Sequence, residues 1–211
     1  MHSIFSKMTG GPVILCTGGI GSGKSCAVRI FNALGVPSYD CDARVKALYD
    51  EDSDLASAVD KAAGGGLMED GRLDRKRLAA VIFGSRDALE AVEALVHPVL
   101  LRDFSQWRSR QSGPVVIESA ILLEKPALAS VPDVVVTVTA PLEIRVCRVM
   151  ERDSATRKEV LGRIANQMGE EERIAASDYV VKNDGKAALL PQIVNILKEI
   201  NENYGNGKDR S

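Results

Sequence analysis

Short continuous apolar runs alternate along this chain with stretches whose apolar residues recur three and four positions apart. Residues 12–17 (PVILCT) form the first run, rich in β-formers, and a glycine-rich turn at 18–23 follows at once, the pattern of a buried strand entering a tight loop. Over residues 24–34, Ala27, Val28, Ile30, Phe31 and Leu34 recur at helical spacing, and Gly35 with Pro37 closes the segment, which predicts a helix directly after the loop. Further strand-length runs lie at 36–42 (VPSYDCD), 115–117, 134–138 and 179–181. Strands alternating with helices predict an α/β fold on a doubly wound parallel sheet of about five strands.

Residues 42–111 are largely helical in pattern, broken at the glycines 64–66 and by a turn at Asp70 and Gly71. They supply no strand for that sheet and read as a helical insertion, about 43–112. A second helical stretch, rich in arginine, occupies 141–163 between two predicted strands, and a lid is expected over about 141–173. The core of a single domain then comprises about 11–42, 113–140 and 174–203. The tail after Asn201 (NENYGNGKDRS) is polar with two glycines and is expected to fray. Neither an internal repeat nor a low-complexity block interrupts this scheme.

Composition narrows the classes. The 27 basic and 29 acidic side chains leave a formal charge of −2, so no global cationic field holds a polyanion and nucleic-acid binding is not expected. Cys16, Cys26, Cys41 and Cys147 are scattered, with no CxxC pair and no grouping with histidine at metal spacing, which predicts reduced thiols rather than a disulfide framework or a zinc site. Residues 1–11 carry only Lys7 and no apolar run of signal-peptide length, and no run of about 18 apolar residues occurs anywhere. The expectation is a cytoplasmic protein that does not enter a membrane, acting as a monomer or weak homo-oligomer.

The strongest local signal is Gly18-Gly19-Ile20-Gly21-Ser22-Gly23-Lys24-Ser25, which fits the P-loop pattern G-x-x-x-x-G-K-[ST] between a predicted strand and a predicted helix. Backbone N–H groups and the helix N-terminus of such a loop receive nucleotide phosphates. The loop assigns nucleotide contacts to Gly19, Ile20, Gly21, Ser22, Gly23, Lys24, Ser25 and Cys26, with Lys24 reaching the β- and γ-phosphates and Ser25 ligating Mg²⁺. GTPases, motors and small-molecule kinases share this loop, and the N-K-x-D expected of a guanine binder is absent from the sequence.

Carboxylates and arginines elsewhere point to phosphoryl transfer. Asp40 and Asp42 close the second predicted strand, where ligands gather in parallel α/β sheets. There a carboxylate could accept the proton of an attacking hydroxyl or help position Mg²⁺, or it could cap a helix. Glu118 ends the run 114–117 and is a candidate for the metal or its water shell, the alternative being a solvated strand end. Arg145, Arg148 and Arg152 are three and four apart on one helical face, suited to a lid over transferring phosphates. Glu151, Asp153 and Glu159 among them leave open a salt-bridged surface helix.

The string TGGIGSGKS at 17–25, followed by G-[VI]-P-x-x-D-x-D at 35–42, resembles the opening of dephospho-CoA kinases. The likeness continues through Asp70-Gly71, Leu73-Asp74-Arg75, Leu78, Ile82-Phe83 and Leu95-Val96-His97-Pro98, then Arg148 to Asp153, Arg163-Ile164-x-x-Gln167 and Asp178 to Asn183, and so covers nearly the whole chain. It implies ATP- and Mg²⁺-dependent phosphorylation of the ribose 3′-hydroxyl of dephospho-CoA, giving coenzyme A, on an adenylate-kinase-like fold with a helical CoA-side region and a lid. Carried over by motif, Asp40 is the candidate base, Lys24 and Arg148 the charge stabilisers, and Arg148 and Arg152 nucleotide contacts from the lid. Asp40, Asp42 and His97 fall on the acceptor side. His97, before Pro98 at the expected end of a helix, could equally cap that helix. The sequence departs from the family's usual pattern at Cys26, where threonine is common, at Lys46, near a usual arginine, and at 118–124 (ESAILLE), which lacks the usual Asp and Pro before the paired leucines. Other acceptors, among nucleosides, nucleotides or small hydroxyl compounds, are the alternative for a kinase, and a nucleotide-dependent binding module is the alternative to one.

Overall fold

The computed structural model describes residues 10–125 and 128–205. The stretches read above for a signal segment and for a frayed tail thus fall mostly outside the described residues, although the last helix continues past Asn201 to Gly205.

Five strands form one parallel sheet: β1 (Val13–Thr17), β2 (Ser38–Asp40), β5 (Val115–Glu118), β6 (Val134–Thr139) and β7 (Tyr179–Lys182), in the order β2-β5-β1-β6-β7. β1 is buried along its whole length because it is the central strand, covered on both faces. In register, Cys16 lies beside Glu118 and Thr17 beside Thr137. α1 (Lys24–Ala33) and α9 (Leu189–Gly205) cover the sheet. Ala27, Val28 and Phe31 of α1, together with Ile193, Ile196, Leu197 and Ile200 of α9, pack on Ile14, Val116, Val136 and Val138. The aspartates preceding two strands fix their starts: Val13 N–H donates to Asp133 Oδ2 at 2.8 Å and Val135 N–H to Asp178 Oδ2 at 2.8 Å.

Two compact units divide the chain, one from Asp40 to Arg108 and the other comprising residues up to Tyr39 with those from Ser109 onward. The 40–108 unit holds α2 (Cys41–Glu51), α3 (Ser53–Ala62), α4 (Arg75–Gly84) and α5 (Arg86–Arg108), with a two-stranded hairpin of β3 (Met68–Glu69) and β4 (Arg72–Leu73). The hairpin, which helical periodicity could not announce, closes on Asp70 (φ 48) and Gly71 (φ 78), the dihedral signature of a type I′ turn. Arg44 grips Asp103 through Nε and Nη2, both at 2.8 Å, and Glu51 through Nη1 and Nη2, tying α2 to α5 by paired charge-assisted bonds.

Three boundaries differ from the sequence expectation. The second strand stops at Asp40, not Asp42, because the Asp40 carboxylate accepts from Ala43 N–H at 2.9 Å and starts α2. Asp42 therefore lies in the first helical turn. α5 does not end at His97 but runs through Pro98 to Arg108, held on both sides of the proline by buried Val92, Val96, Leu100 and Phe104 at four-residue spacing. That buried stripe outweighs the one backbone bond the proline removes. The arginine-rich stretch is two helices, α6 (Leu142–Asp153) and α7 (Arg157–Ala165), split where Ser154 turns left-handed and Thr156 with Glu159 forms a capping box. The short α8 (Glu170–Ala175) follows.

Candidate nucleotide-binding and phosphoryl-transfer site

β1 leads straight into the glycine loop and α1, as its motif requires. Ser22 N–H donates to Gly19 carbonyl at 3.1 Å, closing the tip as a turn, and Lys24 Nζ reaches back across the loop to the Gly18 carbonyl at 2.9 Å. Aspartate or threonine side chains cap α2, α3, α4 and α7. α1 instead starts from Gly23 in the left-handed conformation with no side-chain cap. A helix start of this kind offers its N–H groups and dipole to an anion.

Glu118, at the end of β5, accepts a hydrogen bond from Ser25 Oγ at 2.7 Å. The motif serine and the strand-end acid, 93 positions apart in sequence, are thus brought together as adjacent hard oxygen donors. No group of three or more His, Cys, Asp or Glu side chains that could hold a metal occurs among the described residues. Two protein oxygens beside a phosphate loop suit Mg²⁺, which keeps waters and takes substrate phosphate oxygens for its remaining positions. Beside Glu118 in the sheet register, the Cys16 thiol is pushed up to about 12 by burial, then by the Glu118 charge, with Lys24 opposing. It is a buried, protonated neighbour and not a nucleophile.

The three arginines of α6 have different fates. Arg148 Nη1 lies 3.4 Å from the carbonyls of Gly21 and Ser22, and its Nη2 donates to Asn183 carbonyl at 3.2 Å. Arg145 is buried, with Nε donating to the Ile20 carbonyl at 3.0 Å and Nη1 paired with Glu170 at 2.7 Å. Arg152 turns to the exposed pair it makes with Asp153 at 2.7 Å, and Arg163 joins the same carboxylate at 2.8 Å. One of the three thus lies at the phosphate loop's inner carbonyls, one is built into its outer wall, and one belongs to a surface ion network.

A dephospho-CoA kinase family model matches residues 12–188. The dephospho-CoA kinase of Porphyromonas gingivalis is 41% identical over 196 residues, covering 92% of this chain and 96% of that protein. The chain belongs to the dephospho-CoA kinase family. The crystal structure of a Thermus thermophilus protein superposes with a TM-score of 0.80 at 34% identity, over 90% of this chain and 97% of the other. Shikimate kinase from Acinetobacter baumannii, at 14% identity and a TM-score of 0.53 over 92% and 94% of the two chains, shares the fold.

Within this dephospho-CoA kinase homologue, Arg152 lies apart in its surface ion network and the other side chains expected from sequence fall into two groups. Lys24, Ser25, Glu118 and Arg148 converge on the loop. Asp40, Asp42 and His97 belong to the 40–108 unit, where Asp40 is the N-cap of α2 and His97 is half-buried midway along α5. Three N–H groups expected to contact the nucleotide are already engaged: Ser22 N–H with Gly19 carbonyl at 3.1 Å, Cys26 N–H with Gly23 carbonyl at 3.0 Å, and Ile20 N–H with Gln167 Oε1 at 2.8 Å. Asn183, whose Nδ2 donates to Ser22 carbonyl at 2.7 Å, and Gln167 were given no role by periodicity or charge. Both lie in strings that carry the family likeness, which was the only signal available for them.

No described helix is long and apolar enough to cross a membrane.

Proposed function

We propose that this chain transfers the terminal phosphoryl group of ATP to the ribose 3′-hydroxyl of dephospho-CoA, yielding coenzyme A and ADP. The observation that carries the reading is the join of the P-loop serine to the strand-end acid, Ser25 Oγ to Glu118 Oε1 at 2.7 Å, in a chain that belongs to the dephospho-CoA kinase family.

In this reading the loop amides and the start of α1 receive the phosphates. Lys24, whose Nζ donates to Gly18 carbonyl at 2.9 Å, reaches the β- and γ-phosphates, and Arg148 balances charge that builds on the transferring group. Ser25 and Glu118 would hold Mg²⁺, directly or through water, and the ion supplies charge neutralisation at the phosphates. The acceptor oxygen attacks the γ-phosphorus as the bond to the β–γ bridging oxygen breaks. The hydroxyl proton passes to the Asp40 carboxylate, and ADP leaves. Asp42 and His97 are assigned to the acceptor side and Arg152 to the nucleotide. Residues 43–112 serve as the acceptor-side region and 141–173 as the lid.

The test is ATP consumption with and without dephospho-CoA, with mass detection of a product heavier by one phosphoryl group. Coenzyme A appearing only when both substrates are present supports the reading. ATP bound but dephospho-CoA untouched sinks the acceptor assignment and leaves the phosphate loop standing.

A further inference from the structure

Ile20, at the tip of the phosphate loop, is held from outside the loop at every point. Its N–H donates to Gln167 Oε1 at 2.8 Å, its carbonyl accepts from Arg145 Nε at 3.0 Å, and its side chain packs on the small cluster of Val146, Val149 and Val160 between α6 and α7. Neither polar partner is loose. Arg145 is 6% exposed and pairs with Glu170 at 2.7 Å. Met168, the residue next to Gln167, is fixed through both its backbone groups: its N–H donates to Glu124 Oε1 at 3.0 Å, and its carbonyl accepts from Arg173 Nη2 at 2.8 Å. Arg173 is itself 1% exposed, and burial lowers its pKa against the nearby charges of Glu170 and Glu124.

We propose that Gln167, together with Arg145, is a positioning residue for the nucleotide phosphates: it fixes the tip peptide so that the amides further along the loop face inward before ATP arrives. The physical ground is preorganisation. A glycine-rich loop left to itself samples many backbone states, and any disorder removed on binding is subtracted from affinity. With its N–H given to Gln167, Ile20 is not a phosphate donor but the anchor of the loop. The charged groups facing the tip peptide from the surrounding elements, Arg145, Glu170, Arg173 and Glu124, neutralise one another locally, so the brace adds little net charge beside the phosphates. The inference rests on the reading of the loop as an ATP site.

The experiment compares the full chain carrying Gln167→Met, which keeps length and removes the acceptor, with Gln167→Glu, which keeps an acceptor. ATP with Mg²⁺ is titrated calorimetrically in the absence of acceptor substrate, followed by steady-state kinetics and thermal unfolding. Gln167→Met should weaken ATP binding and raise the KM for ATP about tenfold, the scale of one lost hydrogen bond. The KM for dephospho-CoA and the melting temperature should stay at wild-type values, and Gln167→Glu should remain within about threefold of wild type. Unchanged ATP affinity in Gln167→Met, an equal loss in both variants, or a loss that tracks a lowered melting temperature overturns the proposal. A wild-type chain that binds no ATP would instead sink the functional reading on which it stands.

Discussion

Gly21 and Gly71 have the same φ, 78°, for different reasons. At Gly21, in the phosphate loop, a Cβ would come within 2.5 Å of the Arg145 carbonyl oxygen and 2.9 Å of Val149 Cγ2. At Gly71, in the hairpin of the 40–108 unit, a Cβ would meet nothing within 4 Å. The hairpin turn is local: two residues must be left-handed, and Asp-Gly accepts that at low cost. The phosphate loop is shaped from outside, by a helix more than a hundred residues away in sequence. Conformational freedom explains Gly71, whereas Gly21 also needs space, because α6 is packed directly on the loop.

That difference predicts unequal damage from one kind of substitution. Gly21→Ala must push the loop or α6 aside, and a displacement of order 1 Å near reacting groups costs about a hundredfold in rate. Turnover under saturating substrates should fall at least that far, with ATP affinity falling alongside. Full turnover in this variant would show that the contact with α6 yields easily. A test confined to the other region is Asp103→Asn, which breaks the paired bond to Arg44 but leaves Glu51 in place. Burial there is partial, so the expected loss is about 1–2 kcal/mol, read from denaturant unfolding, with ATP affinity unchanged.

The same contrast explains how much could be read from the sequence. The five strands and the P-loop announce themselves because a central parallel strand must be apolar throughout and a phosphate loop must be glycine-rich at fixed spacing. Glu118 was legible as a strand-end acid, though its bond to Ser25 is a matter of register, which pairs Cys16 with Glu118. The Arg145, Gln167 and Glu170 brace was not legible, because it depends on where helices of ordinary composition come to rest. Helical spacing of Arg145, Arg148 and Arg152 says that they share a face, not that one is buried and another points to solvent. In the 40–108 unit the misplaced end of α5 has a similar cause: proline is a local stop signal, and a stripe of buried side chains overrode it.

Cys16 gives a pH signature of the crowded region. Its thiol is raised from 9.0 to about 12 in the folded chain, so the folded state favours the protonated form. The stability this contributes is fully present below pH 9 and is lost as pH rises from there toward the folded value. Relative to Cys16→Ala, the wild type should therefore lose additional stability above pH 9, by at most about 1.4 kcal/mol per pH unit. Urea unfolding at pH 8, 9 and 10 measures this, and parallel curves for the two proteins would contradict it. At pH 8 a thiol reagent should label exposed Cys26 and Cys147 and spare buried Cys16 and Cys41.

The smallest effect belongs to Gly71→Ala. Nothing crowds the new methyl group, so the cost is that of holding an alanine left-handed, about 1 kcal/mol, and unfolding should register it while kcat and the KM for ATP do not move. The double variant with Gly21→Ala then tests whether the turns are independent. The loop glycine is crowded by α6 and the hairpin glycine by nothing within 4 Å, so their stability costs have separate causes and should add to within about 0.5 kcal/mol. A larger interaction would mean that the hairpin feels the phosphate loop, and local dihedral preference would no longer suffice as the reason for glycine at position 71.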